Sequence, residues 1–432
     1  MTKDMTMGSP LRMILLFSVP VLLGNIFQQF YNMVDTIIVG QYLGEDALAA
    51  VGSTGCLMFL VLGFANGIAQ GFGVMVSHAF GAKDFKLLKH YVALSLILTA
   101  IVSLLLTIPT VAASRQFLIL MKTPDNILGL ADSYIKVIFA GILLTMSYNV
   151  AAGILRGIGD SKTPLYFLIL CSILNVILDL ISVIGLNMGV AGVAVATVGS
   201  QAISAVICIL VMFRKYPNLM PKRHTLRPDM PVSLKIFGMG AQMALQSLFL
   251  SVGMMVITRV INGYGSNVVA AFTVGSNVQN LAVMLFSNFS FGFSVYVGQN
   301  FGAKNAERIK LGVRQIFLLV GGLSFFAGVL TLIFAEPLVS LYVKPNETEV
   351  IAYSLEFIRI QAWFFPFLGW IWLYNSTVKG MGKINISMVS SVVELCSKIG
   401  LSLLLPIWIG TTGIWFAAPI GYILGIIPLL IY

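Results

Sequence analysis

Charged residues are scarce in this chain. They make up 10% of its 432 residues, while 58% are hydrophobic, whereas a soluble domain has roughly 25% charged and 45–50% apolar residues. A helix that spans a membrane needs about 20 mostly apolar residues. Asp35 is the one charge between Arg12 and Glu45, and Asp179 is the one charge between Lys162 and Arg214. This composition excludes an ordinary water-soluble enzyme and indicates a membrane protein.

Residue patterns that carry catalytic or metal chemistry are also missing. The sequence contains no HExxH, DDxxD or GxSxG motif, and its three histidines are scattered near predicted loops. The four cysteines have neither CxxC nor metal-site spacing, so we expect them to be packed within or against helices: Cys56, Cys171, Cys208 and Cys396. We therefore expect no enzymatic activity and no cofactor.

The net charge of +10 does not indicate a nucleic-acid-binding surface. The basic residues do not form one amphipathic face with interleaved aromatic residues; they lie in short segments between apolar runs. The positive-inside rule explains such segments as cytoplasmic loops. The first eleven residues lack the layout of a cleaved signal peptide, so the first apolar run is interpreted as a retained helix.

The apolar runs predict an all-α, polytopic membrane protein with twelve spanning helices. Twelve spans place both termini on one side, and the loop charges assign that side to the cytoplasm, in the inner (plasma) membrane of a cell. The predicted helices lie near residues 12–40, 50–77, 90–113, 128–155, 164–184, 189–213, 235–262, 268–298, 311–334, 350–378, 384–407 and 411–431.

The two halves of the chain repeat each other. The stretch GFGVMVSHAFGAK (Gly71 to Lys83) aligns with GFSVYVGQNFGAK (Gly292 to Lys304), with 8 identities in 13 positions. A second pair of motifs, beginning at Arg156 and Lys379, aligns at a slightly larger shift. Six helices separate each motif from its copy, so the halves are parallel repeats. We predict an N-terminal lobe (1–213), a proline-rich cytoplasmic linker (214–234) and a C-terminal lobe (235–432), an arrangement typical of transporters.

Two intramembrane acids are candidates for function, because an ionised carboxylate in hydrocarbon is costly unless it is paired, hydrated or protonated. Asp35 lies in the first predicted helix, well beyond Pro20, at which that helix can kink. Asp179 lies in the fifth helix with Asn175 one turn earlier on the same face, and Thr197 in the sixth offers a hydroxyl. These oxygen ligands suit a proton or Na⁺, and they lack the sulfur or imidazole that transition metals prefer.

Four motifs along the chain carry a resemblance to a known family: PVLLGNIFQQFYNMVDTIIVGQYLGEDALAAVG (Pro20 to Gly52), the two FGAK loops, RGIGDSKTP (Arg156 to Pro164) and GVAGVAVAT (Gly189 to Thr197). Together they resemble the multidrug and toxic compound extrusion (MATE) family, in particular its bacterial DinF- and NorM-like members, and the resemblance covers essentially the whole chain. That family is part of the wider multidrug/oligosaccharidyl-lipid/polysaccharide flippase superfamily.

The resemblance implies two six-helix lobes forming a V, and secondary active efflux of amphiphilic, often cationic compounds in antiport with H⁺ or Na⁺. It also implies a cation site in the N-terminal lobe at Asp35, Asn175, Asp179 and Thr197. Tyr134 and Asn149 occupy positions where it suggests further hydrogen-bonding partners. On the first helix we expect polar contacts to substrate from Gln28, Gln29, Tyr31 and Asn32.

The second half lacks the acids. The repeat places Val256 opposite Asp35 and Ser402 opposite Asp179. The eleventh predicted helix, near residues 384–407, instead has Glu394 and Lys398 in the i, i+4 order that favours an ion pair within a helix. The sequence leaves open whether this pair is structural or takes part in transport.

The nearest alternative function is that of a flippase for lipid-linked oligosaccharides or lipids, which would require a basic cleft. Arg359 and Lys398 are the basic residues well inside predicted spans, which is weak support. A channel would not need two duplicated lobes that move against each other between inward-open and outward-open states. The expected partners are membrane lipid and small amphiphilic or cationic substrates, with no nucleic acid, and one chain that supplies both lobes is expected to act as a monomer.

Overall fold

The protein is described here by a computed structural model, which covers residues 4–221 and 229–431. Within these two ranges every regular element is a helix. Residues 222–228 of the predicted linker lie outside them. The α-helices are α1 (Pro10–Ile38), α2 (Glu45–Gly81), α3 (Phe85–Ala112), α4 (Ser114–Leu120), α5 (Asp125–Ala140), α6 (Ile142–Gly157), α7 (Lys162–Leu180), α8 (Gly189–Lys215), α9 (Met230–Asn262), α10 (Ser266–Gly302), α11 (Ala306–Ile333), α12 (Ala335–Ser340), α13 (Thr348–Trp363), α14 (Phe365–Gly380), α15 (Ile384–Leu404), α16 (Pro406–Ile409) and α17 (Thr412–Ile431).

Helices lie at all twelve positions where the sequence predicts spans, and the predicted all-α membrane fold is confirmed, although fewer than twelve of the described helices qualify as spans by length and composition. In the described part of the chain, ten helices are long and apolar enough to cross a membrane, and α5 with α6 forms an eleventh candidate bent by 47°. The span predicted near 350–378 is found as α13 and α14. Each of these two helices has 16 residues and is too short to cross a membrane alone, and α13 also carries Glu349, Glu356 and Arg359.

Contacts divide the chain into two compact units whose boundaries fall inside helices. The N-terminal unit comprises Met1–Asp4 and Leu23–Ser247, and the C-terminal unit comprises Met5–Leu22 and Leu248–Tyr432. The lobe boundaries predicted from the sequence fall in the linker instead. The difference arises because the first halves of α1 and α9 are packed in the unit of the other repeat.

In the N-terminal unit, the first half of α9 packs against α2 through residues without bulky side chains. A Cβ on Gly71 would lie 2.5 Å from the Cα of Gly240, and one on Gly67 would lie 2.5 Å from the Cα of Ala244. Real Cβ atoms do not approach a backbone this closely. Glycine at positions 67 and 71 therefore allows the two helix backbones to touch, as small residues do between membrane helices.

In the C-terminal unit, the first half of α1 is part of the apolar core. Phe17 is fully buried in the same cluster as Phe286 and Phe293, and a Cβ on Gly292 of α10 would lie 2.1 Å from Ser18 Oγ. The segment before α1 is held here as well. The Met5 N–H donates to Gln299 Oε1 at 2.9 Å, so the segment that begins at Met5 is anchored in this unit.

Candidate cation-binding site

The two intramembrane acids lie on helices that end in the same unusual way. Asp35 is in the last turn of α1 and Asp179 in the last turn of α7. Each helix continues into a π-helical turn, Val39–Leu43 after α1 and Ile181–Gly185 after α7, and these two turns pack against each other. Single π turns are rare and occur often at functional sites. Here they bring the ends of both acid-bearing helices together.

The carboxyl groups of Asp35 and Asp179 lie within hydrogen-bonding reach of each other. Asp179 has no exposed surface. Among the described residues, no hydrogen-bond donor reaches Oδ1 of Asp35 or either carboxyl oxygen of Asp179. Two carboxylates this close together, one of them fully buried, cannot both remain charged without a proton or a metal cation. The structure places the two predicted acids side by side.

Asn175 and Thr197 extend this set of oxygen atoms. Asn175 is buried one turn before Asp179, and its Nδ2 donates to Thr197 Oγ1 at 3.4 Å. The Thr197 hydroxyl donates to the Val193 carbonyl at 3.0 Å. The Asn175 Oδ1 is buried and accepts no hydrogen bond from the described residues. The amide is thus oriented by its donor side, which leaves its oxygen available to a cation.

Tyr134 and Tyr31 lie beside the carboxyl pair. Tyr134 on α5 is buried and close enough to Asp35, Asp179 and Tyr31 to interact with them electrostatically. Tyr31, one turn before Asp35 on α1, is hydrogen-bonded to Gln28. Tyr134 therefore lies with the pair, as the resemblance implies.

The other candidates are less closely associated with the pair. Asn149 on α6 is half-buried, and the structure gives it no hydrogen bond to either carboxyl group. Gln29 and Asn32 are exposed on α1, as is Gln28. Pro20 is buried inside α1, which continues through it, and α1 passes from the C-terminal unit to the N-terminal unit at Leu22 and Leu23.

An apolar groove of about 300 Å³ lies next to the acids, between α1 and α7. Tyr31 belongs both to this groove and to the surroundings of Asp35. An apolar molecule in the groove would therefore lie one side chain away from the carboxyl pair. The groove is lined by Phe27, Phe30, Tyr31, Val34, Ser172, Ile173, Val176 and Ile177.

Sequence reasoning did not single out Asp160, another buried acid of the N-terminal unit. Asp160, in the connection between α6 and α7, accepts hydrogen bonds from Lys215 Nζ at 2.8 Å, Tyr216 Oη at 2.6 Å and the Thr163 hydroxyl and N–H at 2.6 and 3.0 Å. Burial opposes ionisation, but the hydrogen bonds from Lys215, Thr163 and Tyr216 outweigh it and lower the pKa of Asp160. Burial, helped by the bond to Asp160, raises the pKa of Tyr216. This acid is fully satisfied, in contrast to the pair.

The predicted ion pair of the second half is present. Lys398 Nζ donates to Glu394 Oε1 on α15, and the two side chains are 18% and 14% exposed. The lysine also lies over the ring of Tyr422 on α17, 4.4 Å from its centroid. The aromatic partner could not be found from the sequence, because no spacing rule connects it to Lys398.

The fold and the site define a class: a multi-pass membrane transporter with duplicated helical halves. The chain belongs to the MatE family, because the family model matches residues 20–181 and again residues 243–404. The same shift relates the starts and the ends of the two matched segments, which confirms the internal duplication. Members of this family are membrane transporters rather than enzymes.

Individual relatives and structures agree with this assignment. The chain is 27% identical to a probable multidrug resistance protein, YpnP, of Bacillus subtilis, over 95% of this chain and 92% of the relative. It is 25% identical to a probable multidrug resistance protein, NorM, of Thermotoga maritima, over 88% and 82%. A crystal structure of a MATE protein in the bent conformation is similar with a TM-score of 0.92 and 24% identity, over 99% of this chain and 95% of the other. That likeness shows the shared fold.

Proposed function

We propose that this protein exports amphiphilic, often cationic compounds by alternating access, in exchange for H⁺ or Na⁺ bound at a site formed by Asp35, Asn175, Asp179 and Thr197. It would do so as a monomer in the inner (plasma) membrane with both termini cytoplasmic. The names of the relatives refer to multidrug resistance, and the apolar groove beside the acids would accept the apolar part of such compounds.

One observation carries this proposal. The carboxyl oxygens of Asp179, Oδ1 of Asp35 and the amide oxygen of Asn175 are buried without a donor among the described residues. A protein that simply needed polar packing would satisfy them, as it satisfies Asp160. Hard oxygen atoms left free inside an apolar bundle are the ligands that a proton or Na⁺ requires. Binding of such a cation relieves the repulsion, and its release restores it, so the occupancy of the site can favour one conformation over another.

The energy available is sufficient for export against a gradient. One charge that crosses about 100 mV supplies about 2.3 kcal/mol, and a tenfold concentration ratio costs about 1.4 kcal/mol. One coupling ion would therefore support a gradient of roughly fifty-fold for a neutral solute. For a monovalent cationic solute, one-for-one exchange moves no net charge, and the ion gradient alone drives it.

The flippase alternative is less well supported by the charges. Of the two basic residues that the sequence places well inside predicted spans, Lys398 is bound to Glu394, and Arg359 is 63% exposed with Glu336 at 4.0 Å. Each therefore has a carboxylate beside it already. Transbilayer movement of a lipid-linked oligosaccharide, without movement of cationic dye, would favour the alternative.

The test is efflux of a fluorescent cationic dye from proteoliposomes in which a pH gradient and a Na⁺ gradient are imposed in turn. We expect one gradient or both to drive efflux by the wild type, and Asp35→Asn to abolish coupled efflux while the protein stays folded. The matched control is Asp46→Asn, the same change at an exposed acid of the same unit, which should leave efflux unchanged. Undiminished efflux by Asp35→Asn would refute the coupling role.

A further inference from the structure

The repeat relates the ion pair on α15 to the cation site on α7. The family model begins at residue 20 in the first half and at residue 243 in the second, and the same shift pairs Glu394 with Cys171, Lys398 with Asn175 and Ser402 with Asp179. Successive members of each set are one helical turn apart and lie on one face of their helix. The C-terminal unit therefore carries an acid and a lysine on the face that carries cation ligands in the N-terminal unit.

The surroundings of Lys398 are those of a bound cation. Its Nζ donates to Glu394 Oε1 and lies 4.4 Å from the centroid of the Tyr422 ring, a distance typical of a cation–π interaction. The Tyr422 hydroxyl accepts from Gln279 Nε2 at 3.3 Å. A carboxylate from α15 and an aromatic face from α17 thus contact one ammonium group, and an amide from α10 holds the hydroxyl of that aromatic ring.

Close packing by α17 holds this arrangement in place. A Cβ on Gly421 would lie 2.6 Å from Lys398 Cγ, and one on Gly425 would lie 3.0 Å from Glu394 Cβ. The Gly425 carbonyl accepts from Ser390 Oγ at 2.6 Å. Two glycines one turn apart thus allow α17 to press on the stems of both charged side chains, so the lysine has little room to move out of the site.

We propose that Lys398 is a tethered cation that fills a cation-binding site of the C-terminal unit, with Glu394 as its anionic ligand. The ammonium group supplies the charge that a proton or Na⁺ supplies at the carboxyl pair, but it is covalently held and cannot be exchanged. Glu394 would bind a monovalent cation once the lysine charge is removed, because a carboxylate left alone in an apolar interior must gain a cation or a proton. This proposal rests on the proposed function in one respect: the N-terminal site is taken as the one at which the coupling ion is exchanged.

The test uses the full chain with Asp35→Asn and Asp179→Asn, which removes both carboxylates of the N-terminal site. Binding of radioactive sodium to this purified parent is measured in detergent, together with the protons released when the protein is unfolded in unbuffered solution at neutral pH. We expect Lys398→Met, added to the parent, to raise sodium binding severalfold or to release an additional proton on unfolding. Glu394→Gln added on top should reverse either gain.

A second variant and an exchange control guard against loss of folding. Lys398→Asn introduces the residue that the protein already has at the equivalent position 175, and it should show the same gain. The exchange variant Glu394→Lys with Lys398→Glu keeps the pair and should bind no more sodium than the parent. The proposal is overturned if neither Lys398 variant gains sodium or a proton. It is also overturned if the parent already binds sodium and Glu394→Gln abolishes that binding. Dye export by the parent would instead refute the proposed function and leave this result intact.

Discussion

Asp160 provides the most direct test of how the N-terminal unit is held together. This residue is 4% exposed and joins the start of α7 to the end of α8, because it bonds to Thr163 on α7 and to Lys215 and Tyr216 at the end of α8. Asp160→Ala removes the acceptor of four hydrogen bonds. The Lys215 ammonium group, the hydroxyls of Thr163 and Tyr216 and the Thr163 N–H then lose this acceptor. Asp160→Asn keeps the shape but removes the negative charge.

The expected losses follow from these partners. Hydrogen bonds to a charged group contribute roughly 1.5–3 kcal/mol each, but Lys215 is 38% exposed and can turn to water, so its share is about 1 kcal/mol. We expect Asp160→Ala to lower the free energy of unfolding by about 4 kcal/mol and Asp160→Asn by about 2 kcal/mol. Tyr216→Phe removes one of these bonds and should cost about 1 kcal/mol.

The assay is denaturant-induced unfolding in detergent micelles, followed by tryptophan fluorescence and repeated across pH. Because the folded-state pKa of Asp160 is lowered, its contribution is present above the unfolded value near about 4 and is lost as pH falls through the folded value. The wild type should therefore exceed Asp160→Asn in stability at pH 7, and the difference should shrink below about pH 4.

A matched acid separates this effect from simple helix capping. Asp84 also accepts from an N–H in the first turn of a helix, that of Leu87 at 2.9 Å, but it is exposed, so Asp84→Asn should cost less than about 0.5 kcal/mol. If Asp160→Asn were as stable as Asp84→Asn at neutral pH, the reasoning about the buried network would be wrong.

Three further outcomes are expected. Asn175→Ala should weaken the coupling ion's apparent affinity in dye efflux about tenfold, because one ligand of the set is lost; an unchanged ion dependence would remove Asn175 from the site. Pro20→Ala should leave the protein folded but slow efflux, because α1 regains a backbone hydrogen bond where it changes units; efflux at the wild-type rate would show that bending at Pro20 is not needed. Gly240→Leu should lower thermal stability in detergent more than Gly238→Leu, because a Cβ at 240 meets the backbone of Ile68 at 3.1–3.2 Å while one at 238 meets no atom within 4 Å; equal losses would contradict the close approach of α2 and α9.

Much of the fold could be predicted from the sequence, because apolar runs and a repeated motif are local signals. The site could be predicted for a related reason: a carboxylate within an apolar run is conspicuous, and Asp35 and Asp179 are the two that stand alone in long runs. Their mutual contact, however, depends on how two helices far apart in sequence pack. The resemblance to a family supplied that step, which no spacing rule could provide.

Other features were beyond prediction because they arise from tertiary packing. The partners of Asp160 at the end of α8 are distant from it along the chain, and nothing in their local sequence marks them. The positions at which α1 and α9 change units have the same cause: both helices are continuous apolar runs, and only contacts such as those of Gly71 with Gly240 show which unit each half belongs to.

This exchange of half-helices has a consequence for dividing the protein. Each unit is completed by a segment that belongs to the other repeat, Met5–Leu22 in one case and the start of α9 in the other. A chain divided between α8 and α9 would therefore yield two fragments, each without part of its own bundle. Such fragments are expected to need each other in order to fold.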